Sequence, residues 1–184
     1  MPAGGRRGQA RDDDWMILVQ QWRVFPSGTR GGNPCPLVTD ARELTAGQMR
    51  AMAAHYGHES AFVTNVSGST VTLRYFVPRH EMRMCVHATI AAVTALASAG
   101  ILTGGQASIS AASGEQRRPA RPSWTRIAID QGDAMGQPSR LHAAALAGPD
   151  GVTRPSVTGR AIRASQDELS PSALGDDLPE PELR

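Results

Sequence analysis

The order of apolar and polar positions along the chain predicts many strands and two helices. Short apolar or alternating runs separated by Gly, Pro, Asn and Ser are typical of strands. The predicted strands cover residues 16–25, 37–38, 61–64, 71–77, 107–112, 126–130, 141–146 and 157–164. The pattern favours an α+β fold, in which a mixed or antiparallel sheet wraps around a central helix.

Two segments have the periodicity or the composition of helices. Residues 40–56 predict an amphipathic helix, with Asp40 and Glu43 as a capping pair before it and Gly57 as its end. Residues 86–99 are apolar or small on nearly every face, so this second helix is expected to be buried. Both ends of the chain, 1–14 and 169–184, are polar and lack periodicity, which predicts disorder.

Composition narrows the possible functions. The formal net charge of the 184 residues is only +2, so charge gives no reason to expect nucleic acid as a partner. All nineteen basic residues are Arg, which excludes mechanisms that use a lysine Schiff base or a P-loop lysine. Two cysteines do not make a disulfide framework, and the apolar run 88–102 is short for a membrane span. A cytoplasmic protein without a membrane partner is the default expectation.

Residues 76–91 carry the clearest chemical signal. They place Cys85 and His87 where a turn becomes the second helix. Unpaired backbone N–H groups and a partial positive charge at a helix start bind anions and shift a thiol toward thiolate. Glu59 stands just before a predicted strand. Together these residues suggest proton transfer on an anionic substrate.

Several motifs in this order resemble the phenazine-biosynthesis PhzF-like family, which has the diaminopimelate epimerase fold. The motifs are Gly32-Asn33-Pro34, His58-Glu59-Ser60-Ala61-Phe62-Val63, Arg74-Tyr75-Phe76-Val77-Pro78 and Cys85-Val86-His87-Ala88-Thr89. The segments 129–139 and 157–161 resemble the family's C-terminal end. The resemblance implies barrel-like sheets around central helices, and a cofactor-independent isomerase or epimerase.

The resemblance also implies a domain organisation. Family members have two similar lobes with the active site between them. Here residues 15–114 plus 152–168 are expected to form a single PhzF-like lobe, and 115–151 a linker with a remnant hairpin of the second lobe. Most of the second lobe is missing from this pattern. We therefore expect a homodimer, or a separate chain that supplies the other lobe.

Three residues are candidate catalytic groups by this resemblance. Glu59 matches the family's proton-shuttling glutamate, although an exposed Glu at a turn is the common case. His87 matches the site histidine and could orient Glu59 or bind the substrate, or it could be a local cap of the helix. Cys85 is either a thiol base or a small buried residue. Cys35 is expected to be structural.

The candidate substrate-binding positions are Asn33, Val86, Ala88 and Thr89. Asn33 either fixes a loop near the site or simply forms a turn. Val86 stands where the family usually has Gly, and its branched side chain could narrow the anion site. The spacing of Cys85 and His87 with the other histidines fits no common set of zinc ligands, so no metal and no cofactor are expected.

These observations favour an isomerase that moves a proton on a small carboxylic acid in specialised, antibiotic-type metabolism, with an active site completed by dimerisation. Two alternatives stay open. The chain could be a non-catalytic half-protein that binds a ligand or a partner. The resemblance also implies a possible action on a pyrroline-type antibiotic intermediate, by isomerisation or C–C cleavage, as in some relatives.

Overall fold

In a computed structural model of the chain, the described residues form eleven strands, two α-helices and one short 3-10 helix. The described residues are 15–27, 31–103, 108–111, 114–116, 125–131, 139–147 and 153–174. Predictions for 1–14, 175–184, 117–124 and most of the turn at 131–139 lie outside them. No helix among the described residues has the length and apolar character needed to cross a membrane.

Eight strands form one mixed sheet, in the order β11-β1-β2-β3-β4-β6-β7, with the short β5 beside β4. Their bounds are β1 Ile17–Val24, β2 Asn33–Val38, β3 Ser60–Ser67, β4 Thr70–Phe76, β5 Glu81–Met82, β6 Ser108–Ala111, β7 Gly114–Gln116 and β11 Ala161–Leu169. The pairs β2–β3 and β4–β6 are parallel, and the others are antiparallel. The prediction of a mixed sheet is confirmed. Residues 115 and 116, predicted as linker, are instead part of β7 and are paired with β6.

The two helices, α1 (Ala46–Tyr56) and α2 (Val86–Ser98), are associated with different hydrophobic clusters of the sheet. Side chains alternate between the two faces of a strand, so Leu37 contributes to the α2 cluster and Val38 to the α1 cluster. In the same way Phe62 belongs to the α1 cluster, whereas the residues directly before and after it in the chain belong to the α2 cluster. Strands covered on both faces read as continuous apolar runs, as they do here.

Helix α1 is shorter than predicted, and its cap is different. It begins after Thr45, whose side chain accepts a hydrogen bond from the Gln48 backbone in a capping box. The predicted cap, Asp40 with Glu43, is wrong because both carboxylate oxygens of Asp40 bind the Arg42 guanidinium, at 2.8 and 2.9 Å. The predicted end is confirmed, since Gly57 takes the left-handed conformation (φ 69°) that a side chain disfavours.

Helix α2 has the predicted position and is buried along one face. The buried residues on that face are His87, Ala88, Ala91, Ala92, Ala95 and Leu96. Small alanine side chains let the helix backbone lie close to the sheet, which brings the first turn of α2 near β2 and β3. The side chain of Val86, by contrast, is 40% exposed.

The predicted strand at 157–164 is wrong, because the chain turns within it. β10 (Thr153–Thr158) and β11 belong to different sheets, and Gly159-Arg160 separate them. The Phe25 N–H donates to the Arg160 carbonyl at 2.7 Å, and a Cβ on Gly159 would lie 2.1 Å from the Phe25 ring. Because Gly159 has no side chain, the Phe25 ring can lie against the turn. The alternating apolar and polar residues around Gly159 are typical of one continuous strand, so the sequence does not indicate the turn.

A second, three-stranded sheet contains β8 (Thr125–Gln131), β9 (Ser139–Ala147) and β10 in the order β10-β9-β8. The predicted pairing of 126–130 with 141–146 is confirmed. A third strand, β10, pairs with β9 beside the expected hairpin. The sequence instead predicts that this segment belongs to the first lobe. The Arg140 N–H donates to the Phe25 carbonyl at 2.8 Å, so the two sheets are joined at the end of β1.

Part of the predicted C-terminal tail is ordered. Leu169 ends β11, and residues Pro171–Leu174 form the 3-10 helix. Leu169 and Leu174 are partly buried against the hydrophobic cluster of α1. Two leucines among Pro, Ser and acidic residues are thus enough to hold this segment on the lobe.

Candidate active site

The structure brings the three predicted catalytic residues together at the start of α2. The Cys85 sulfur lies 3.2 Å from His87 Nδ1, and His87 Nε2 lies 3.5 Å from a Glu59 carboxylate oxygen. One ligand atom from each side chain lies within 4.8 Å of the others. A thiol, an imidazole and a carboxylate therefore share one small site, although Glu59 is 26 and 28 positions from the other two in the chain.

The local fold explains why Cys85 and His87 lie here. The bidentate pair of Arg74 with Glu81, at 2.8 and 2.6 Å, holds β5 against β4 just before the helix. Cys85 is the N-cap residue of α2, and its carbonyl accepts a hydrogen bond from the Thr89 hydroxyl at 2.8 Å. The first turn of the helix is thereby fixed, and His87 faces inward.

Glu59 is positioned by the connection between α1 and β3. The left-handed Gly57 ends α1, and β3 begins at Ser60, leaving only two residues between them. The Ser60 hydroxyl donates to the His58 carbonyl at 3.1 Å and tightens this short link. The Glu59 side chain is 46% exposed, so it lies at the mouth of the site with one side toward solvent.

His87 is the buried centre of the site, with a side chain only 9% exposed. Burial lowers the pKa of its imidazole, because the charged form loses hydration. The Glu59 carboxylate and the Pro34 carbonyl act in the opposite direction, and exposed His58 adds a further lowering. The net direction is a pKa below the ordinary histidine value, which favours a neutral imidazole with one N–H to donate.

The thiol of Cys85 does not behave as the helix start predicts. The pKa of Cys85 is raised to about 11, mainly by burial and also by the nearby Glu59 carboxylate. The backbone N–H groups of Ala88 and His87 lower it, but by less than burial raises it. The expectation of a thiolate is therefore wrong, because desolvation outweighs the helix N-terminus. At neutral pH Cys85 is a thiol.

Alkylation of Cys85 is expected to follow this raised pKa. Only the thiolate reacts with iodoacetamide, so the rate should keep increasing as the pH rises from 7 to 10, without the plateau that a lowered pKa would give. Mass spectrometry of the modified cysteine, with the Cys35→Ala protein to isolate one thiol, measures this rate. A rate that is already constant above pH 7 would show that Cys85 is ionised at neutral pH.

Cys35 has a structural position, as expected. It is fully buried in β2, and its sulfur lies 3.7 Å from the carbonyl of Pro36. Burial strongly raises the pKa of its thiol, and the neighbouring Cys85 and Glu59 raise it further. A neutral thiol in the sheet completes the wall behind the site.

Tyr75 is a buried polar residue that the sequence did not single out. Its hydroxyl lies 2.6 Å from the Thr89 hydroxyl, which in turn binds the Cys85 carbonyl. Burial raises the pKa of Tyr75 to about 12, so the phenol is neutral. The available signal was the alternation in β4, which puts Tyr75 on the same face as Leu73 and Val71 and therefore beneath α2.

The four predicted substrate-binding residues are only partly assembled. Val86, Ala88 and Thr89 share the first turn of α2, but Ala88 is fully buried and the Thr89 hydroxyl is engaged with Tyr75. Asn33 begins β2, and its side-chain amide oxygen Oδ1 accepts a hydrogen bond from the Ser139 hydroxyl of the second sheet at 3.5 Å. Their roles stay predictions, and Val86 is the one of the three α2 residues that is exposed, at 40%.

The fold is thus an α+β arrangement in which a mixed sheet packs on a buried helix, and an acid, an imidazole and a thiol meet at the start of that helix. The family model described as phenazine biosynthesis-like protein (PhzC-PhzF) matches residues 22–119, more than half of the chain. The chain belongs to this family.

Curated relatives match just under half of the chain. A Bacillus subtilis protein, named uncharacterized isomerase YfhB, is 35% identical over 48% of this chain and 30% of its own length. An uncharacterized isomerase of Deinococcus radiodurans is 39% identical over 46% of this chain and 28% of its own length. The match thus spans less than a third of the length of these curated relatives.

Solved structures support the fold. A PhzF-family phenazine biosynthesis protein from Bacillus anthracis superposes with a TM-score of 0.74, over 84% of this chain and 99% of that chain, at 13% identity. A PhzF-family protein from Enterococcus faecalis gives a TM-score of 0.52 over 62% of this chain and 44% of that chain, at 21% identity. At these identities the likeness concerns the fold alone.

Proposed function

We propose that this chain is a cofactor-independent isomerase that moves a proton on a small carboxylic acid. The observation that supports this most is the convergence of Glu59, His87 and Cys85 at the start of α2. Membership of the phenazine biosynthesis-like family and the name isomerase of its relatives agree with the proposal. We also propose, as a finer part of this function, that the reaction belongs to antibiotic-type metabolism.

Glu59 is the group that takes and returns the proton in this proposal. Its carboxylate is half-exposed at the site mouth, where it can reach a bound substrate. The substrate carboxylate would bind at the backbone N–H groups that begin α2. The carbon that loses the proton would then lie between the helix start and Glu59.

His87 and Cys85 have supporting roles. A neutral His87 can donate its N–H to Glu59 at 3.5 Å and hold the carboxylate in one orientation. Cys85, a thiol with a pKa of about 11, is a better proton donor than acceptor. It is thus unsuited to take the proton from the substrate, which leaves that role to Glu59.

The proposed enzyme needs a second wall for its site, and we propose that a second copy of the chain supplies it, or else a separate chain. Glu59 opens to solvent, and the exposed side chains of Met84 and Val86, 41% and 40% exposed, flank Cys85. Apolar side chains beside a half-open polar site favour association, because they are then removed from water.

Size-exclusion chromatography with light scattering tests the homodimer. We expect a dimer at micromolar concentration, and we expect Val86→Glu to weaken it, because a charge would then be buried at the contact. Leu18→Glu is the matched control, since Leu18 is equally exposed (40%) but lies near the start of β1 and is not one of the site residues. A monomeric wild-type protein at this concentration would contradict the homodimer.

Incorporation of deuterium from solvent tests the proposed chemistry. Small unsaturated and α-substituted carboxylic acids are incubated with the protein in D₂O, and mass spectrometry measures the deuterium in the recovered acid. A proton shuttle must exchange its proton with solvent in some fraction of its turnovers, so at least one acid should gain deuterium. An acid that binds but never gains deuterium would contradict the shuttle.

A non-catalytic binding protein is the second candidate. Its support is the exposed, branched side chain of Val86 at the helix start, which takes space beside the N–H groups that would hold a carboxylate. This candidate predicts binding of an acid, seen by calorimetry, without any exchange. Val86→Gly separates the two, because it should increase exchange in an enzyme and should leave a binding protein inactive.

A further inference from the structure

The Glu59–Cys85–His87 cluster also has the chemistry of a metal site. Carboxylate oxygen, thiolate sulfur and imidazole nitrogen are the three ligand types that zinc takes in proteins. In the described part of the chain these three residues are a group of potential metal ligands. Their donor atoms all lie within 4.8 Å of one another. Their roles in the proposed isomerase do not involve an ion.

The distances in the cluster are close to those around a tetrahedral ion. With Zn–S near 2.3 Å and Zn–N near 2.0–2.1 Å, tetrahedral geometry separates S from N by about 3.6 Å and N from a carboxylate O by about 3.4 Å. The sulfur of Cys85 lies 4.0 Å from His87 Nε2, and Nε2 lies 3.5 Å from Glu59 Oε2. Small side-chain rotations would therefore bring all three donors to one ion.

The charges of the cluster also suit a divalent ion. One thiolate and one carboxylate neutralise the two positive charges, so the helix start faces a site with no net charge. His87 and Cys85 are buried, with 8% and 6% of their surface exposed, which limits competition from water. Glu59 is half-exposed, which leaves an entry path and an open fourth position for water.

We propose that Glu59, Cys85 and His87 bind a thiophilic divalent ion, Zn²⁺ in preference, and that the bound ion blocks proton transfer by Glu59. Binding replaces the S–H proton of Cys85 by a metal–sulfur bond, and the proton leaves to solvent. The site would be an inhibitory one, in which the ion occupies the groups that the substrate needs. Only the inhibition rests on the proposed function; the binding does not.

Cobalt(II) is the probe for the binding. The full-length protein, freed of metal by a chelator and kept reduced, is titrated with Co²⁺ and then with Zn²⁺. We expect a thiolate-to-cobalt charge-transfer band in the near ultraviolet that saturates at one ion per chain and disappears as Zn²⁺ displaces the cobalt. Absence of this band at millimolar Co²⁺ would overturn the proposal.

Variants assign the ligands. Cys85→Ser should lose the charge-transfer band. Glu59→Gln, at a half-exposed position that does not support the core, should weaken Co²⁺ binding by at least about 10-fold, as the loss of even an outer partner does. His58→Gln is the matched control, because His58 is exposed and adjacent to Glu59. A band that persists in Cys85→Ser, or an equal loss of affinity in His58→Gln, would overturn the assigned ligand set.

Inhibition is measured separately, by deuterium incorporation with Zn²⁺ and then with added chelator. We expect loss of exchange with Zn²⁺ and full recovery with the chelator. If the cobalt band appears but Zn²⁺ leaves the exchange rate unchanged, the inhibitory role is wrong while the site stands. If the metal-free protein exchanges no acid, the proposed isomerase fails and the binding result is unaffected.

Discussion

Replacing Glu59 by glutamine is expected to lower solvent-deuterium incorporation by about 10²–10⁴-fold, the usual contribution of a general acid–base group. The amide has nearly the same shape but cannot take a proton. The fold should persist, because the Glu59 side chain is 46% exposed and its contact within the site is the one with His87. The measurement is the exchange rate at saturating substrate, with circular dichroism to verify folding.

Glu43→Gln is the control for that experiment. Glu43 is an exposed glutamate in the turn before α1, on a segment that is not part of the site, so the same chemical change there should leave exchange within twofold. If Glu59→Gln exchanges protons as fast as Glu43→Gln, Glu59 is not the shuttle. His87 would then be the next group to test.

Replacing Phe62 by alanine is expected to destabilise the lobe by about 3–5 kcal/mol, as for other buried Phe→Ala changes. Phe62 is fully buried in β3, and its ring packs edge-to-face on Phe76 at a centroid distance of 5.7 Å. The change would leave a cavity between the sheet and α1. Urea unfolding followed by circular dichroism measures the free energy of unfolding.

Leu18→Ala is the matched control for the stability experiment. Leu18 is also an apolar strand residue, but it is 40% exposed, so its truncation should change the free energy of unfolding by no more than about 0.5 kcal/mol. Equal losses in the two variants would mean that Phe62 does not lie in a packed core. The experiment thus tests the two-sided burial of the sheet, independently of any activity.

Much of the site could be predicted because its signals are local. Cys85 and His87 are two residues apart at the start of an apolar helix, and the turn before β3 fixes Glu59. The convergence of the two segments came from the resemblance, since periodicity alone does not specify which strand lies beside which helix turn. The state of the Cys85 thiol could not be predicted, because it depends on how deeply the helix start is buried.

The errors in the fold have tertiary causes. The start of α1 was misplaced because Asp40 resembles a cap, while Arg42 binds its carboxylate and Thr45 takes the capping role. The segment 157–164 reads as one strand, and only the contact of Phe25 with Gly159 shows that it turns. Tyr75 was missed because the chain pattern shows only that it faces inward, not that it reaches Thr89.

The pairing of β1 with β11 governs the order in which the lobe can be completed. Ile17 lies opposite Leu169, near the other end of the described chain. During translation β1 emerges long before its outer neighbour, so one row of its backbone groups stays open on the growing chain. Closing the sheet is therefore a late event, because β11 is the last of its eight strands along the chain. Nascent chains that stall before residue 161 would keep an open strand edge, which can pair with another chain.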